Sequence, residues 1–292
     1  MNPNIKKLNG ARIAILGLGI ENFAFINFLL SKKIKTQFTV FDRNRAQELG
    51  IRYKQLKNKV NWCLGKKHGG LEKFDIIMRS PGYPFSSPAL VKARRAAAEI
   101  TSPMRMFFNL SPSTNIIGVT GTKGKGTTAA LIYEIIKQGE KRVWLGGNIG
   151  IAPFSFLNKI KKSDWVVLEL SSFQLEDFTV SPHVAVFTNF FKEHLAAADP
   201  NNPNYHPSLR HYWQSKLNII KWQRPGDWAV INKTLEKKNI KAGRGRKIYF
   251  GKSDLVSRLP GEHNKENIAA ATAVAKIIKI KEKNILKNME NR

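Results

Sequence analysis

The stretch that most constrains the fold of this chain is a glycine-rich segment, IIGVTGTKGKGTT, at residues 116–128. The apolar run before the glycines predicts a buried strand, and residues 127–138 after them predict a helix. Backbone N–H groups of such a loop can turn toward an anion, the helix N-terminus adds partial positive charge, and Lys125 adds a full one. This order of strand, loop and helix predicts a site for a nucleoside triphosphate.

The loop departs from the general P-loop pattern GxxxxGK[ST] at two positions. Val119 stands where the first glycine is expected, and Gly126 follows the lysine directly. The hydroxyl that would hold Mg²⁺ must therefore come from Thr127 or from Thr128. A plain glycine-rich turn between a strand and a helix is the alternative, and the placement of lysine and threonine argues against it.

Composition limits the remaining classes of function. The 292 residues suffice for about two domains, and Cys63 as the single cysteine excludes an intrachain disulfide and fits a reducing, cytoplasmic location. The net charge of +28 would attract polyanions, but lysine and arginine occur in short scattered clusters without a recognition motif. We therefore expect no dedicated nucleic-acid site. The apolar residues 11–30 are interrupted by Arg12, Glu21 and Asn22, so no membrane span is expected.

Strand and helix patterns alternate along the chain, which predicts an α/β fold with parallel sheets. The polar residues 111–114 predict a boundary between a Rossmann-like N-terminal domain, residues 1–110, and a P-loop parallel-sheet ATPase domain, residues 111–292. The predicted strands are 12–16, 38–41, 74–78, 116–119, 143–145, 165–169, 184–187 and 228–231, and the predicted helices are 21–31, 88–98, 104–110, 127–138, 209–222 and 264–280.

The first domain opens like a dinucleotide-binding unit with an incomplete fingerprint. Its second strand ends at Asp42, where an acid in such folds contacts a ribose or base, but Asn22 replaces the third glycine of GxGxxG. This partial match is weak evidence for NAD. The third strand runs into a turn at residues 79–82, at the edge of a parallel sheet where ligands usually bind; an ordinary strand-to-helix turn is the alternative.

Polar residues also follow strands of the second predicted sheet. Glu169 ends one strand, and Glu193 and His194 follow another. Because Mg²⁺ prefers hard oxygen ligands, Glu169 is the candidate metal ligand beside the phosphate loop. Alone, Glu169 could cap a helix and His194 could be a surface histidine, but their joint position favours a functional site.

Five segments in this order, TGTKGKGTT, GGNIG, LELSSFQLE, TNFFKEHL and PGEHNKEN, resemble the Mur ligase superfamily, and LELSSFQLE is similar to its D-glutamate-adding member. The resemblance runs from about Arg12 to the final helix. It implies a first domain that binds a UDP-sugar, which accounts for the broken fingerprint, and a second that binds ATP and Mg²⁺. The implied reaction joins D-glutamate to UDP-N-acetylmuramoyl-L-alanine through an acyl phosphate in peptidoglycan precursor synthesis.

The resemblance also implies roles for individual residues. Lys125 would contact the ATP phosphates, Thr127, Glu169 and His194 would be associated with Mg²⁺, and Lys216 would be carbamylated and hold a second Mg²⁺. By composition alone, Lys216 would lie on a solvated helix face. The implied ATP-binding residues are Gly121, Thr122, Lys123, Gly124, Lys125, Gly126, Thr127, Thr128, Asn264 and Asn267, and the implied UDP-sugar-binding residues are Ile20, Glu21, Asp42, Ser80, Pro81, Gly82, Asn148, Ser171 and Gln174.

Members of the family have a third domain that carries the amino-acid site, and this sequence stops at Arg292, near where that domain would begin. We expect a truncated ligase, half of a split ligase whose C-terminal domain is encoded separately, or a remnant that binds nucleotide and UDP-sugar without catalysis. A basic nucleic-acid ATPase is a further alternative, but no second helicase-type motif or aromatic-basic stacking surface is evident.

Overall fold

A computed structural model describes residues 3–65, 69–196, 204–241, 243–255, 257 and 259–290. The chain divides into two compact units. Unit 1 comprises Met1–Ser111, Ala152–Asn158 and Ala196–Tyr205, and unit 2 comprises Pro112–Ile151, Lys159–Leu195 and His206–Arg292. Each unit is a parallel α/β sheet, which confirms the predicted fold class. Among the helices described, none has the length and apolar character needed to cross a membrane.

Unit 1 is built on five parallel strands. They are β1 (Arg12–Leu16), β2 (Gln37–Asp42), β3 (Asn61–Leu64), β4 (Ile76–Arg79) and β5 (Glu99–Thr101), and the helices are α1 (Pro3–Lys6), α2 (Ile20–Ser31), α3 (Ala46–Leu49), α4 (Ile51–Leu56), α5 (Pro88–Arg95) and α6 (Pro103–Leu110), with a 3₁₀ turn at Leu71–Lys73. The strand order is β3-β2-β1-β4-β5. Leu16 pairs with Phe41 on one side and Arg79 on the other, so β1, β2 and β4 end at one edge.

The segment Ala152–Asn158 belongs to unit 1 through aromatic packing. The Phe154 ring meets Phe25, Phe28 and Phe107 edge-on, with ring centroids 5.1, 5.2 and 6.2 Å away. Such edge-to-face pairs stabilise a core beyond the area they bury. A 3₁₀ turn at Pro153–Ser155 holds the Phe154 ring in this cluster.

Unit 2 is built on six parallel strands. They are β6 (Ile116–Thr120), β7 (Val143–Gly147), β8 (Trp165–Glu169), β9 (Val184–Phe187), β10 (Trp228–Asn232) and β11 (Arg246–Phe250), and the helices are α7 (Lys125–Gln138), α8 (Ser172–Leu175), α9 (Leu209–Lys221), α10 (Glu262–Ile277) and α11 (Glu282–Glu290), with a 3₁₀ turn at Lys233–Lys238. A further 3₁₀ turn, Leu157–Lys159, begins in a segment of unit 1 and ends at the first residue of the next segment of unit 2. The order is β11-β10-β9-β6-β8-β7. Because β6 lies between β8 and β9, the glycine-rich loop, Glu169 and the residues after Phe187 share one edge.

The buried core of unit 2 explains why its central strands are continuous apolar runs. Side chains of α7 and α10, including Ile135 and Val274, pack with Val119, Val167 and Val186 of the sheet in one cluster. Parallel strands covered by helices on both faces have no solvent-exposed side, so they lack the alternating pattern of half-exposed strands.

The structure corrects several predicted boundaries. β4 begins at Ile76 rather than at residue 74, because Phe74 is the C-terminal cap of the 3₁₀ turn Leu71–Lys73 that precedes it. α5 ends at Arg95 rather than at 98, and Ala97 after it adopts the left-handed conformation with φ of 62°. α7 begins at Lys125, two residues earlier than predicted, and α10 spans Glu262–Ile277 instead of 264–280.

Candidate functional site

The glycine-rich loop of unit 2 joins β6 to α7 and is braced by two residues that follow β9. The Asn189 carboxamide oxygen accepts the N–H of Lys123 at 2.8 Å, and the hydroxyl of Thr188 donates to the Lys123 carbonyl at 2.8 Å. The first N–H groups of α7 face outward from its N-terminus, where no helix carbonyl can accept from them. The loop is therefore held in shape by the protein, and the helix N-terminus is left to attract an anion.

Gly124 lies at the N-terminal cap of α7 and needs to be glycine for two reasons. Its φ of 77° is left-handed, and a β-carbon there would collide with the carboxamide oxygen of Asn267. Asn267 also accepts from the hydroxyl of Thr128 at 3.1 Å and donates to the side-chain oxygen of Asn264 at 2.8 Å. Asn267 of α10 thus lies directly against the glycine-rich loop, and Asn264 holds it there; their contacts with ATP stay a prediction.

The lysine and the two threonines of the loop differ in their hydrogen-bond partners and in their exposure. The Lys125 ammonium donates to the Thr122 carbonyl at 3.0 Å, so its side chain folds back over the loop. Thr128 is fully buried and its hydroxyl is engaged by Asn267, whereas Thr127 is exposed. Of the two candidates for the metal hydroxyl, Thr127 is therefore the better placed.

Glu169 ends β8, beside Val119 of β6 and Gly147 of β7. Burial raises the pKa of its carboxyl, while the positive charge of Lys125 acts in the opposite direction. Oε1 accepts from the Asn148 carboxamide at 3.4 Å, and the described part of the chain offers the buried Oε2 no hydrogen-bond partner. A buried carboxylate oxygen without a partner is costly unless a cation satisfies it.

Lys216 on α9 contradicts the expectation from composition of a solvated helix face. The residue is only 1% exposed, its ammonium donates to the Gly121 carbonyl at 2.6 Å, and it lies 4.8 Å from the Tyr212 ring centroid. Burial, followed by repulsion from Lys125, lowers the pKa of Lys216 to about 7. About half of its amines are therefore neutral near neutral pH, which is the form that reacts with carbon dioxide.

His194 follows β9 in a left-handed conformation, with φ of 59°. Its ring packs edge-on against Phe173 and Tyr212, with ring centroids 5.5 and 5.6 Å away. Burial lowers the pKa of His194, with smaller opposing and reinforcing effects from Glu193 and Lys216. A neutral imidazole is the form that binds metal ions.

The charged groups of the site interact electrostatically. The positive charges of Lys125 and Lys216 act to lower the pKa of both Glu169 and His194. The carboxylate, imidazole and hydroxyl donors fit a divalent cation, and the unsatisfied Oε2 of Glu169 is the observation that favours one. The charge of Lys216 would repel that ion unless the amine is neutral or modified.

A cavity of about 530 Å³ in unit 2 opens beside the loop. Its size is typical of a nucleotide-sized ligand site. Its lining includes Thr122 and Lys123 of the loop, Phe191, Lys252 and Glu262. Phe191 lies in TNFFKEHL and Glu262 in PGEHNKEN, two of the segments that carry the family resemblance, whereas Lys252 lies in none of them.

Three predicted substrate residues of unit 2 are engaged by neighbours. The Asn148 carboxamide donates to Oε1 of Glu169 at 3.4 Å. Ser171 and Gln174 form a capping box on α8, in which the Ser171 hydroxyl accepts the Gln174 N–H at 3.2 Å and the Gln174 side chain accepts the Ser171 N–H at 2.8 Å. The capping box fixes the backbone directly after Glu169.

The predicted UDP-sugar residues of unit 1 lie around the shared ends of β1, β2 and β4. The Asp42 carboxylate accepts the N–H groups of Leu18 at 2.6 Å and Asn44 at 2.9 Å, which fixes the turn after β1. Ser80, Pro81 and Gly82 follow β4 at the same edge, and Ile20 and Glu21 open α2 after the turn. Arg52, which sequence patterns did not identify, donates to the Leu18 carbonyl at 2.7 Å.

Asn22 stands at the position of the third glycine of a dinucleotide fingerprint. Its buried side chain donates to the Gly17 carbonyl at 2.7 Å. This bond ties the turn to α2 through a side chain rather than through close helix-strand contact, which is what that glycine provides in dinucleotide-binding folds.

Two family models match the chain. Residues 11–102 match "Mur ligase MurD-like, N-terminal domain", and residues 119–256 match "Mur ligase middle domain". Among curated relatives, UDP-N-acetylmuramoylalanine–D-glutamate ligases from Acetivibrio thermocellus and Clostridium kluyveri are 34% and 38% identical over 94% and 96% of the chain. The chain spans 63% and 59% of the lengths of these two relatives.

Two solved structures have a similar fold. A UDP-N-acetylmuramate:L-alanyl-gamma-D-glutamyl-meso-diaminopimelate ligase from Neisseria meningitides aligns with a TM-score of 0.63 at 14% identity, covering 96% of this chain and 97% of that one. A UDP-N-acetylmuramate-alanine ligase from Thermotoga maritima aligns with a TM-score of 0.52 at 19% identity, covering 96% and 68%. At these identities the structures establish the fold alone.

Proposed function

Because the chain carries a MurD-like N-terminal domain and a middle domain of the Mur ligases, and so belongs to that family, we propose that it acts in the ATP-dependent addition of D-glutamate to UDP-N-acetylmuramoyl-L-alanine. The relatives that support this proposal are named for that ligation. The observation that carries it is the meeting of Lys125, Glu169 and Lys216 at one sheet edge, beside a nucleotide-sized cavity.

In the first step of this reaction, an oxygen of the alanyl carboxylate forms a bond to the γ-phosphorus of ATP while the bond to the ADP oxygen breaks. The product is an acyl phosphate, and the amine of D-glutamate then displaces phosphate to form the amide. Phosphoryl transfer depends mainly on positioning and on neutralising charge. Lys125 and the N-terminus of α7 would bind the phosphates, and Thr127, Glu169 and His194 would hold Mg²⁺, which supplies further charge neutralisation when bound.

We expect the acyl phosphate to be detectable by trapping. The purified chain, given ATP, Mg²⁺, UDP-N-acetylmuramoyl-L-alanine and hydroxylamine, should release phosphate and form a hydroxamate only when the UDP-sugar is present. Glu169→Gln keeps the shape of the side chain but removes its charge, so the yield should fall about 100-fold or more, the usual cost of a lost electrostatic group at such a centre.

The matched control is Glu140→Gln, which changes an exposed glutamate just beyond the far end of α7 and should leave the yield unchanged. NADH in excess should not compete with the UDP-sugar, because Asn22 occupies the place of the third fingerprint glycine. If the parent chain binds both ligands without forming hydroxamate, a binding remnant of the ligase is the better description.

We also propose that the Lys216 amine reacts with carbon dioxide. Its nitrogen would bond to the carbon and lose a proton to solvent, giving an anionic carbamate with oxygen ligands for a cation. With ¹³C-labelled bicarbonate near pH 8, one protein-bound carbamate resonance should appear in the NMR spectrum, because most amines with a pKa of about 7 are then neutral. Lys216→Met should abolish that resonance, and Lys221→Met on the exposed end of α9 should retain it. An unchanged resonance in Lys216→Met would contradict the assignment.

A further inference from the structure

A second cluster of metal-binding side chains lies in unit 2, formed by Glu176, His206 and His211. One ligand atom from each of the three lies within 4.8 Å of the others. Glu176 follows the short helix α8, His206 precedes α9, and His211 lies in the first turn of α9. We propose that this cluster binds a divalent transition-metal ion of the Zn²⁺ class, independently of the phosphate loop and of the proposed ligase reaction.

The three side chains lie near enough to share one ion after small side-chain rotations, because one ligand atom from each lies within 4.8 Å of the other two. The Nδ1 atoms of His206 and His211 are 3.0 Å apart, and the other ring nitrogen of His211, Nε2, is 3.7 Å from Oε1 of Glu176, so His211 faces each neighbour with a different nitrogen. A tetrahedral zinc ion with bonds of 2.0–2.1 Å separates its ligand atoms by roughly 3.3 Å. Two imidazoles and a carboxylate also form a donor set that zinc commonly takes, with a fourth position for water.

His206 is oriented as a metal ligand usually is. Its Nε2 lies 2.9 Å from the Ser172 hydroxyl, and its ring stacks on Phe173 with a centroid distance of 4.5 Å and an interplanar angle of 5°. A hydrogen bond from one ring nitrogen to a neighbouring group sets the tautomer and presents the other nitrogen to the ion. When Nε2 donates to Ser172, Nδ1 of His206 faces His211 with its lone pair.

Burial and access also agree with the proposal. His206 is fully buried, the Glu176 side chain is 6% exposed, and the His211 side chain is 37% exposed. The ion would therefore enter past His211 and be held by two buried donors. Desolvation lowers the pKa of His211, which favours the neutral imidazole that coordinates metals. The carboxylate of Glu176 supplies the one negative charge of the cluster.

Co²⁺ is the probe for this site, because its visible absorption reports imidazole coordination where Zn²⁺ is silent. The titration uses the full chain carrying His194→Gly, which removes the imidazole ligand of the loop site and tolerates the left-handed backbone at that position. We expect one equivalent of Co²⁺ to bind and Zn²⁺ to displace it. His211→Ala, at a partly exposed position, should weaken binding at least 10-fold.

A second variant and a matched control make the result decisive. Ser172→Ala keeps all three ligands and should weaken binding about 10- to 100-fold, the usual effect of removing a hydrogen-bond partner of a ligating histidine. His183→Ala removes another imidazole of unit 2 that lies 3.0 Å from a carboxylate oxygen, that of Asp227, and should change nothing. If His211→Ala binds Co²⁺ as tightly as its parent, or the parent gives no imidazole-type absorption, the cluster is only a hydrogen-bonded pair of histidines. Neither result alters the hydroxamate experiment, which tests the ligase proposal separately.

Discussion

Lys125→Ala should weaken the affinity of the chain for ATP about 10- to 100-fold. The ammonium lies over the loop, bonded to the Thr122 carbonyl at 3.0 Å, and a triphosphate would take that bond in its place. Hydrogen bonds to charged groups contribute about 1.5–3 kcal/mol, which corresponds to this range of affinities. Equilibrium binding of a fluorescent ATP analogue to parent and variant measures the loss.

Lys137→Ala is the matched control for this prediction, because Lys137 is an exposed lysine in the last turn of the same helix. It removes the same charge from the chain, so a general effect of net charge on nucleotide binding would appear in both variants. Equal affinities of Lys125→Ala and Lys137→Ala for ATP would contradict the assignment of Lys125 to the phosphate site. A second readout is the Glu169 carboxyl, whose pKa should rise further when the opposing charge of Lys125 is absent.

The sequence predicted the central strands well and missed three of the four edge strands, β7 being the one it predicted, for a physical reason. β6, β8 and β9 lie inside their sheet and are buried on both faces, so each is an apolar run that stands out from its surroundings. β3, β5 and β11 lie at sheet edges and are partly exposed, so NWCL, EIT and RKIYF carry polar residues and escape notice. Exposed edges require such polarity to avoid pairing with other chains.

The residues of the candidate site also fall into those that the sequence could predict and those that it could not. The loop and Glu169 could be predicted because glycines, a lysine and a strand-end acid follow one another at fixed spacing. Lys216 could not be predicted from the residues alone, since nothing local distinguishes a buried lysine from the many exposed ones, and only the family resemblance selected it. The cluster of Glu176, His206 and His211 depends on the packing of α8 against α9, which no pattern in the sequence encodes.

Lys216→Met should raise the free energy of unfolding of unit 2 at low pH. This stabilisation should disappear as the pH rises. The pKa of Lys216 is about 7 in the folded chain and 10.5 in the reference state, so the unfolded chain binds more protons between these values. Stability of the parent therefore rises with pH across that window. Below pH 7 the buried lysine should cost on the order of 3–5 kcal/mol, because each unit of pKa shift corresponds to about 1.36 kcal/mol. Urea unfolding at pH 6, 8, 10 and 11 measures the difference.

At pH above about 10.5 the sign should reverse, because the neutral amine of the parent keeps its hydrogen bond to the Gly121 carbonyl and methionine cannot make one. A buried carbonyl left without a donor costs about 1–3 kcal/mol. Buffers free of carbon dioxide keep carbamate formation from contributing to the result. Lys221→Met, at an exposed position on the same helix, should show no such dependence on pH. A difference between parent and Lys216→Met that stays constant from pH 6 to 10 would mean that Lys216 is not neutralised by burial, and the proposed carbamate would lose its chemical basis.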